Sequence, residues 1–383
     1  MRRVYVVGVG MTSIGRHYRR GMRDLFAEAA LQAIDDARGE KPQALVVGNM
    51  LSSSMGEQDS LGALLADSVG LRGIPAFKVE AACGSGGAAF FAGYNLVASG
   101  MFDVVLVAGV EKMTEHVTST VTRALAQAAD AEYELFYGAS FTGLNALLMR
   151  YYMEKHGVSR EEMAAWPVLM HENASQNPFA QLRFKITVEQ VLNAMVVADP
   201  ITLLDSSPMG DGAAAVVIAS EEVARKLSDT PVQVAGLGLA TDSVDLSTRL
   251  ELDGLAAARL AAEKAYRMAG IEARDVDVVE VHDAFTITGV LSVEALGFAG
   301  KGEAARLVAE GRFRPGDRPE VNLSGGLKAR GHPVGATGVY QVAEIAMQLR
   351  GDFPGVKARD AEIGVAENIG GHGATISVVV LRR

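Results

Sequence analysis

An α/β fold built from two similar halves is what this sequence predicts, and three observations carry that expectation. Short apolar strands alternate with amphipathic helices along the whole chain. The order of elements occurs twice, with a period near half the chain, which points to duplication rather than a solenoid of short units. With 49% hydrophobic residues in 383, the chain can bury a large core.

The first strand, Val4–Val9, has its counterpart in Val232–Leu237. Helices follow in both units, Asp24–Ala37 and Leu252–Ala269, and then buried strands, Ala44–Gly48 and Val276–Val281. Ala76–Val79 and Glu320–Leu323 come next, each before a glycine-rich turn and an alanine-rich helix. Val104–Gly109 with Ala213–Ala219 close the first unit, and Glu362–Ala366 with Ala374–Leu381 close the second. The N-terminal half is thus expected over 1–220 and the C-terminal half over 221–383. The segment 111–210, rich in Met, aromatic residues and Gln/Asn, is too long for a structureless loop and is expected to be an inserted helical domain. Leu144–His156 and Arg160–Asn173 fit amphipathic helices, the second capped by Ser159 with Glu162 three residues on. The insertion is either a lid over a ligand or a packing element.

Composition excludes several classes. A formal net charge of −10 argues against a nucleic-acid protein, which would show a basic face. No apolar run approaches the roughly 20 residues that span a bilayer. Met1–Gly8 passes straight into a strand and lacks the apolar stretch of a secretory signal. One cysteine permits no intrachain disulfide, in keeping with a reducing compartment. A cytoplasmic location is the expectation.

That single thiol, Cys83, lies in Ala81-Ala82-Cys83-Gly84-Ser85-Gly86, between an extended segment and a helical pattern. Unpaired amides at a helix entrance favour a thiolate, whereas a free cysteine ionises near ~8.5. The plainer alternative is a buried cysteine acting as a small hydrophobe. Three histidines stand in segments unusual for structural use. His282 ends a buried strand, the edge where α/β sheets bind ligands. His332 precedes Pro333, which suits the first turn of a helix and would place the imidazole where protonation is disfavoured. His372 sits among glycines in Gly370-Gly371-His372-Gly373. His17, His116, His156 and His171 lack such a setting. No cysteine or histidine pairs have zinc spacing, so no metal is expected. Gly8-Val9-Gly10 lacks the third glycine of a dinucleotide site.

Together, Ala81–Gly86, Gly210-Asp211-Gly212-Ala213-Ala214, Gly331-His332-Pro333 before Gly335-Ala336-Thr337-Gly338, and Gly370–Gly373 resemble the thiolase family over nearly the whole chain. The resemblance implies α/β/α/β/α layering of two fused halves with a loop domain, assembled as a homodimer or homotetramer. It implies that Cys83 accepts an acyl group from an acyl-CoA and that His332 activates the thiol and points into the enolate-oxygen hole. His282 would hold a water in that hole, and the Gly370 and Cys83 amides would form a second hole for the acyl oxygen. Coenzyme A thioesters would be substrates, with no tightly bound cofactor. His282-Asp283-Ala284-Phe285 is similar to the box of sterol-carrier-protein thiolases and archaeal acetoacetyl-CoA thiolases. Most thiolases carry a second cysteine where Asn368-Ile369-Gly370 stands here, so His372 is the candidate base for the α-proton. That departure looks most like the archaeal biosynthetic branch. There the thiolase resembles a subunit of a complex with 3-hydroxy-3-methylglutaryl-CoA synthase and a zinc-containing OB-fold protein.

Acetyl-CoA C-acetyltransferase activity is the expectation that follows. A degradative 3-ketoacyl-CoA thiolase, a ketoacyl-carrier-protein synthase, and a non-catalytic channelling subunit are its alternatives. Arg123, Arg183 and Lys185 in the insertion are the basic residues available to meet CoA phosphates.

Overall fold

The computed structural model describes residues 2–383. The first half runs β1 (Val4–Met11), α1 (Met22–Asp36), β2 (Ala44–Gly48), α2 (Leu61–Ser68), β3 (Ala76–Val79), α3 (Ser85–Ala98) and β4 (Val104–Glu111). The insertion follows, with α4 (Thr118–Ala126), a π-helical turn (Ala131–Leu135), α5 (Phe141–His156), α6 (Arg160–Ala174), α7 (Val188–Leu192) and a hairpin of β5 (Val196–Ala198) and β6 (Ile201–Thr202). β7 (Gly212–Ser220) and α8 (Glu221–Leu227) return to the sheet. The second half comprises β8 (Val232–Thr241), α9 (Ala256–Ala269), β9 (Val278–Glu280), α10 (Thr286–Ala295), α11 (Ala304–Ala309), β10 (Glu320–Val321), α12 (Thr337–Arg350), β11 (Ile363–Gly370) and β12 (Thr375–Arg382).

Strand order confirms the duplication. The sheet reads β10-β9-β11-β12-β8-β1-β7-β4-β2-β3, so each half places its third, second, fourth, fifth and first strands outside to inside. The halves meet where β1 pairs antiparallel with β8, through Tyr5 opposite Gln233 and Val6 opposite Val232. Inner strands such as β2 and β4 are buried along their whole length, which is why Val, Leu and Ala run on without alternation. β10 is shorter than its sequence counterpart because Asn322 takes a left-handed conformation (φ +48°) and turns the chain into the glycine-rich loop.

The three largest apolar cores follow the layering of helices and half-sheets. One lies between the first half-sheet and α1, α2 and α8. Another holds Phe90, Tyr94, Val339, Tyr340 and Ile345 of α3 and α12, together with strand residues of both halves. The third joins the outer face of the second half-sheet to α9, α10 and the insertion. Within the insertion, Ser159 caps α6 through the Glu162 amide (3.1 Å) while the Glu162 carboxylate accepts from the Ser159 amide (2.6 Å). Gly157, at φ +61°, ends α5.

Helices α3 and α12 are the equivalent elements of the two halves, and they touch at glycines. A Cβ on Gly338 would lie 2.3 Å from the Gly87 amide nitrogen, and one on Gly86 would lie 2.8 Å from that of Gly338. No side chain fits at either position. Gly338→Ala should therefore force the helix starts apart and destabilise the chain by ~1–3 kcal/mol. Thermal denaturation checks this: an unchanged midpoint would show that the contact tolerates separation.

Candidate active site

Cys83 stands in the loop between β3 and α3, and His332 in the loop between β10 and α12. The glycine contact of those two helices brings the loops together. Ala82 adopts φ +51°, a strained turn for a residue with a Cβ, and it is pinned by Ser85. The Ser85 hydroxyl accepts from the Ala81 amide (2.9 Å) and donates to the Ala82 carbonyl (2.6 Å). Cys83 is 5% exposed and lines a cavity of about 140 Å³ with His332, Met113, Met209, Val334 and Phe285. Thr122, Leu125, Phe141 and Thr142 of the insertion complete the wall, as do Ser206–Met209 at its end. The insertion therefore covers the thiol.

Electrostatics differ from the sequence expectation at the sulfur. Burial pushes the Cys83 thiol up to about 12, and the Glu111 and Glu80 carboxylates push the same way. The Cys83 and Gly371 amides pull in the opposite direction and do not prevail. A helix entrance alone does not yield a thiolate here, because desolvating an anion outweighs the local dipole. The resting group is a thiol that needs a base.

His332 lines the same cavity as that thiol. Its Nδ1 lies 2.7 Å from the Thr337 hydroxyl, which itself donates to the Pro333 carbonyl at 3.1 Å. The hydroxyl proton is thus spent, so Nδ1–H donates to Thr337 and Nε2 carries a lone pair. That Nε2 is buried and has no protein partner. Burial, followed by the Arg330 guanidinium, pushes the ring down to about 3, so it is neutral at pH 7. The cause is dryness and a nearby cation, not the helix start that the sequence suggested. Arg330 is itself fully buried, paired with Glu344 and set 5.3 Å over the Tyr340 ring.

The His282 ring meets that of His332 edge-on, with centroids 5.0 Å apart. Its Nδ1 accepts from the Ile369 amide (3.2 Å) and the Asn368 side-chain amide (3.1 Å), which leaves Nε2–H as a donor. Asn368, at the position of the missing second cysteine, also donates to the Cys83 carbonyl (3.2 Å) and accepts from the Gly87 amide (2.9 Å). It ties β11 to the Cys83–Gly87 segment and to His282, and has no acidic proton to offer. Gly370 packs against Ala81 and Gly84, and Gly371 (φ +64°) is the neighbour whose amide faces the sulfur.

His372 is fully buried but does not line the cavity. Its ring packs on Phe141 (5.9 Å), which lines the cavity and packs in turn on Phe285 (6.2 Å). Cys83 and His332 share the cavity wall, His282 touches the His332 ring without lining the cavity, and His372 lies behind Phe141. Arg123, Arg183 and Lys185 are exposed and outside the cavity, Lys185 pairing with Glu172 (3.3 Å). His156 hydrogen-bonds Asp253 (2.9 Å) and His171 the Phe184 carbonyl (2.8 Å), both structural uses. Among the described residues no cluster of three metal-ligating side chains occurs.

Sequence reading passed over three buried carboxylates that hold these loops. Glu111 accepts from Asn49, from the Met50 and Leu51 amides, and from the Gly335 amide (3.0 Å), which fixes the loop before α12 beneath the thiol. Burial raises it to about 7. Asp211 accepts from Lys112 (2.9 Å), Thr114 and the Met113 amide, closing the base of the insertion. Asp283 accepts from Trp166 (2.9 Å) and the Leu327 amide (2.6 Å). A charge ending the apolar run Val104–Val110 was the available signal for Glu111.

Comparison with known proteins is uniform along the chain. Residues 4–222 match the family description "Thiolase, N-terminal domain", and residues 238–383 match "Thiolase C-terminal domain-like". The chain is 47% identical, over the full length of both, to a Methanothermobacter thermautotrophicus protein named acetyl-CoA acetyltransferase. It is 44% identical to a protein of the same name from Methanocaldococcus jannaschii, covering 100% of this chain and 99% of that one. Human sterol carrier protein 2 is 32% identical over 98% of this chain and 71% of its own length. The solved structure of an "Ltp2-ChsH2(DUF35) aldolase" superposes with a TM-score of 0.85 at 24% identity, over 99% of this chain and 97% of that one, a likeness of fold.

A protonated resting thiol has a kinetic signature. Iodoacetamide labelling of Cys83 should rise about tenfold per pH unit between roughly pH 7 and 9, without a plateau. A plateau beginning near pH 6 would mean a preformed thiolate–imidazolium pair instead.

Proposed function

Because this chain belongs to the thiolase family, we propose that it is an acetyl-CoA acetyltransferase, condensing two acetyl-CoA to acetoacetyl-CoA and catalysing the reverse thiolysis. One observation carries the chemistry: a thiol and an unpartnered imidazole nitrogen line the same apolar cavity. The identity with the archaeal relatives, spread over the whole length, supports the substrate.

In the first half-reaction the Cys83 sulfur attacks the thioester carbon of acetyl-CoA while its proton passes to Nε2 of His332. The C–S bond to CoA breaks, and that proton leaves with the CoA thiol. Amides beside the sulfur, from Cys83 and the Gly370–Gly371 turn, take the oxygen that becomes negative. Removing such a donor typically costs ~10²–10³ in rate. In the second half-reaction a base, His372 on this reading, removes the α-proton of another acetyl-CoA. His282 supplies Nε2–H through a water to the enolate oxygen, and His332 joins it when Nε2 carries a proton. The enolate carbon then attacks the acetyl-cysteine, its C–S bond breaks, and the departing sulfur takes up the proton that the base had removed, which restores both the thiol and the neutral imidazole. Covalent capture keeps the acyl carbon positioned between the two substrates.

Coenzyme A thioesters act here as substrates, with no tightly bound cofactor. The protein works in the cytoplasm as a homo-oligomer. The same reading extends to a complex with 3-hydroxy-3-methylglutaryl-CoA synthase and a zinc-containing OB-fold protein, in the mevalonate pathway. Exposed aromatic residues in the insertion, Tyr133, Phe136 and Tyr137, suit a surface covered in such an assembly.

Intact mass after exposure to acetyl-CoA should show an acetyl adduct on the native chain and none on Cys83→Ala; an adduct surviving the substitution would reject the nucleophile. Across acyl lengths, thiolysis should fall more than ~10-fold from acetoacetyl-CoA to 3-ketooctanoyl-CoA, given the small cavity. Equal rates would favour a degradative enzyme.

A further inference from the structure

The insertion contributes more than a wall. Its π-helical turn Ala131–Leu135 exposes Tyr133, and Phe136 and Tyr137 after it are exposed too, yet Glu134 between them is only 5% exposed. A carboxylate turned inward from an aromatic surface segment needs partners. It accepts from the Leu246 amide (2.9 Å) and the Asp130 amide (3.0 Å), and its Oε1 lies 3.4 Å from Nε2 of His372. The proton of that last contact must sit on Nε2, since a carboxylate only accepts. Nδ1 is then a bare lone pair, and it is buried without a protein partner.

We infer that Glu134 is a positioning residue: its carboxylate holds Nε2–H of His372 and so makes Nδ1 the atom that takes the substrate's α-proton. This rests on His372 being the base of the second half-reaction. In the step, the C–H bond of the second acetyl-CoA breaks, its proton bonds to Nδ1, and the electron pair stays on the enolate. The imidazolium so formed is stabilised by the Glu134 charge through the hydrogen bond already in place. Phe141 lines the cavity and packs on the ring, so it stands between His372 and the cavity, and the transfer requires that side chain to turn aside.

The ring's other charged neighbours are few. Burial and the Arg249 guanidinium push His372 down to about 3, while Asp245 pulls it up. Arg249 also donates to the His372 carbonyl (2.8 Å), which fixes the loop that carries the ring. α5 contributes uncharged Phe141 to this packing. The resting ring stays depressed with Glu134 in place, so the carboxylate acts through its 3.4 Å contact on the imidazolium formed in the step rather than on the neutral ring.

Three variants, Glu134→Gln, Glu134→Asp and His372→Ala, test the assignment on the full chain. Two readouts are needed: acetylation of Cys83, and loss of deuterium to water from trideuterated acetyl-CoA as a function of pH. Glu134→Gln should acetylate at the native rate, which shows it folded. It should exchange deuterium about 10- to 100-fold more slowly, with the acid limb of the profile moved to lower pH. The direction follows because an imidazolium without its carboxylate loses its proton more readily. Glu134→Asp should restore part of both. Exchange and acid limb unchanged in Glu134→Gln, with exchange slow in His372→Ala, would overturn the role of Glu134 and leave His372 as the base. Native exchange in His372→Ala would overturn both.

Discussion

Two helix starts in contact at glycine are the constraint from which the rest of the site follows. α3 and α12 are the same element of the two halves, and each is preceded by a catalytic loop. Where Gly86 and Gly87 meet Gly338 there is no room for a Cβ, and that closeness is what sets Cys83 and His332 on one cavity. Asn368 reinforces the arrangement from β11 by bonding to Gly87, Cys83 and His282 at once. Glu111 does the same from β4, clasping the loops at 49–51 and 335. Cys83 and His332 hang on the central layer and inherit its rigidity.

Dryness governs the chemistry of that layer. The same burial that holds the thiol protonated also keeps His282, His332 and His372 neutral. Neutral partners at rest mean that, on the proposed reaction, charge appears only as the proton moves. Arg330 adds a fixed cation beside the two ring-stacked histidines, and its pairing with Glu344 leaves some of its N–H groups without protein partners. A buried pair of this kind is weak support for stability and is better understood through the field it imposes.

Much of the architecture was legible in the pattern of residues. Apolar runs such as Val104–Val110 could only be strands covered on both faces, and the repeat of strand, helix and glycine turn gave the duplicated order correctly. Boundaries shifted where local chemistry intervened: Asn322 cuts β10 short, and α9 begins at Ala256 after an extended Leu255. Of the site, the thiol, His332 and His372 stood out because glycines lie beside them, and His282 because it ends a buried strand. Asn368 was marked only as standing in place of a cysteine and Glu134 not at all, since the role of a buried amide or carboxylate is recognisable only by the groups around it. Those groups come from positions up to hundreds of residues away, such as Gly87 for Asn368 and Leu246 for Glu134.

Residue order was sufficient for the fold class, the duplication and the inserted helices, and it singled out the one thiol that lines the cavity, because periodicity and backbone freedom are local properties. It misjudged the thiol's protonation, assigning to a helix dipole what burial overrules. It also could not show that Phe141 separates His372 from the cavity or that the insertion supplies a carboxylate to that histidine. Solvent exclusion and the tautomer of a ring depend on every atom packed around the group, and that surrounding exists only once the two halves have closed on each other.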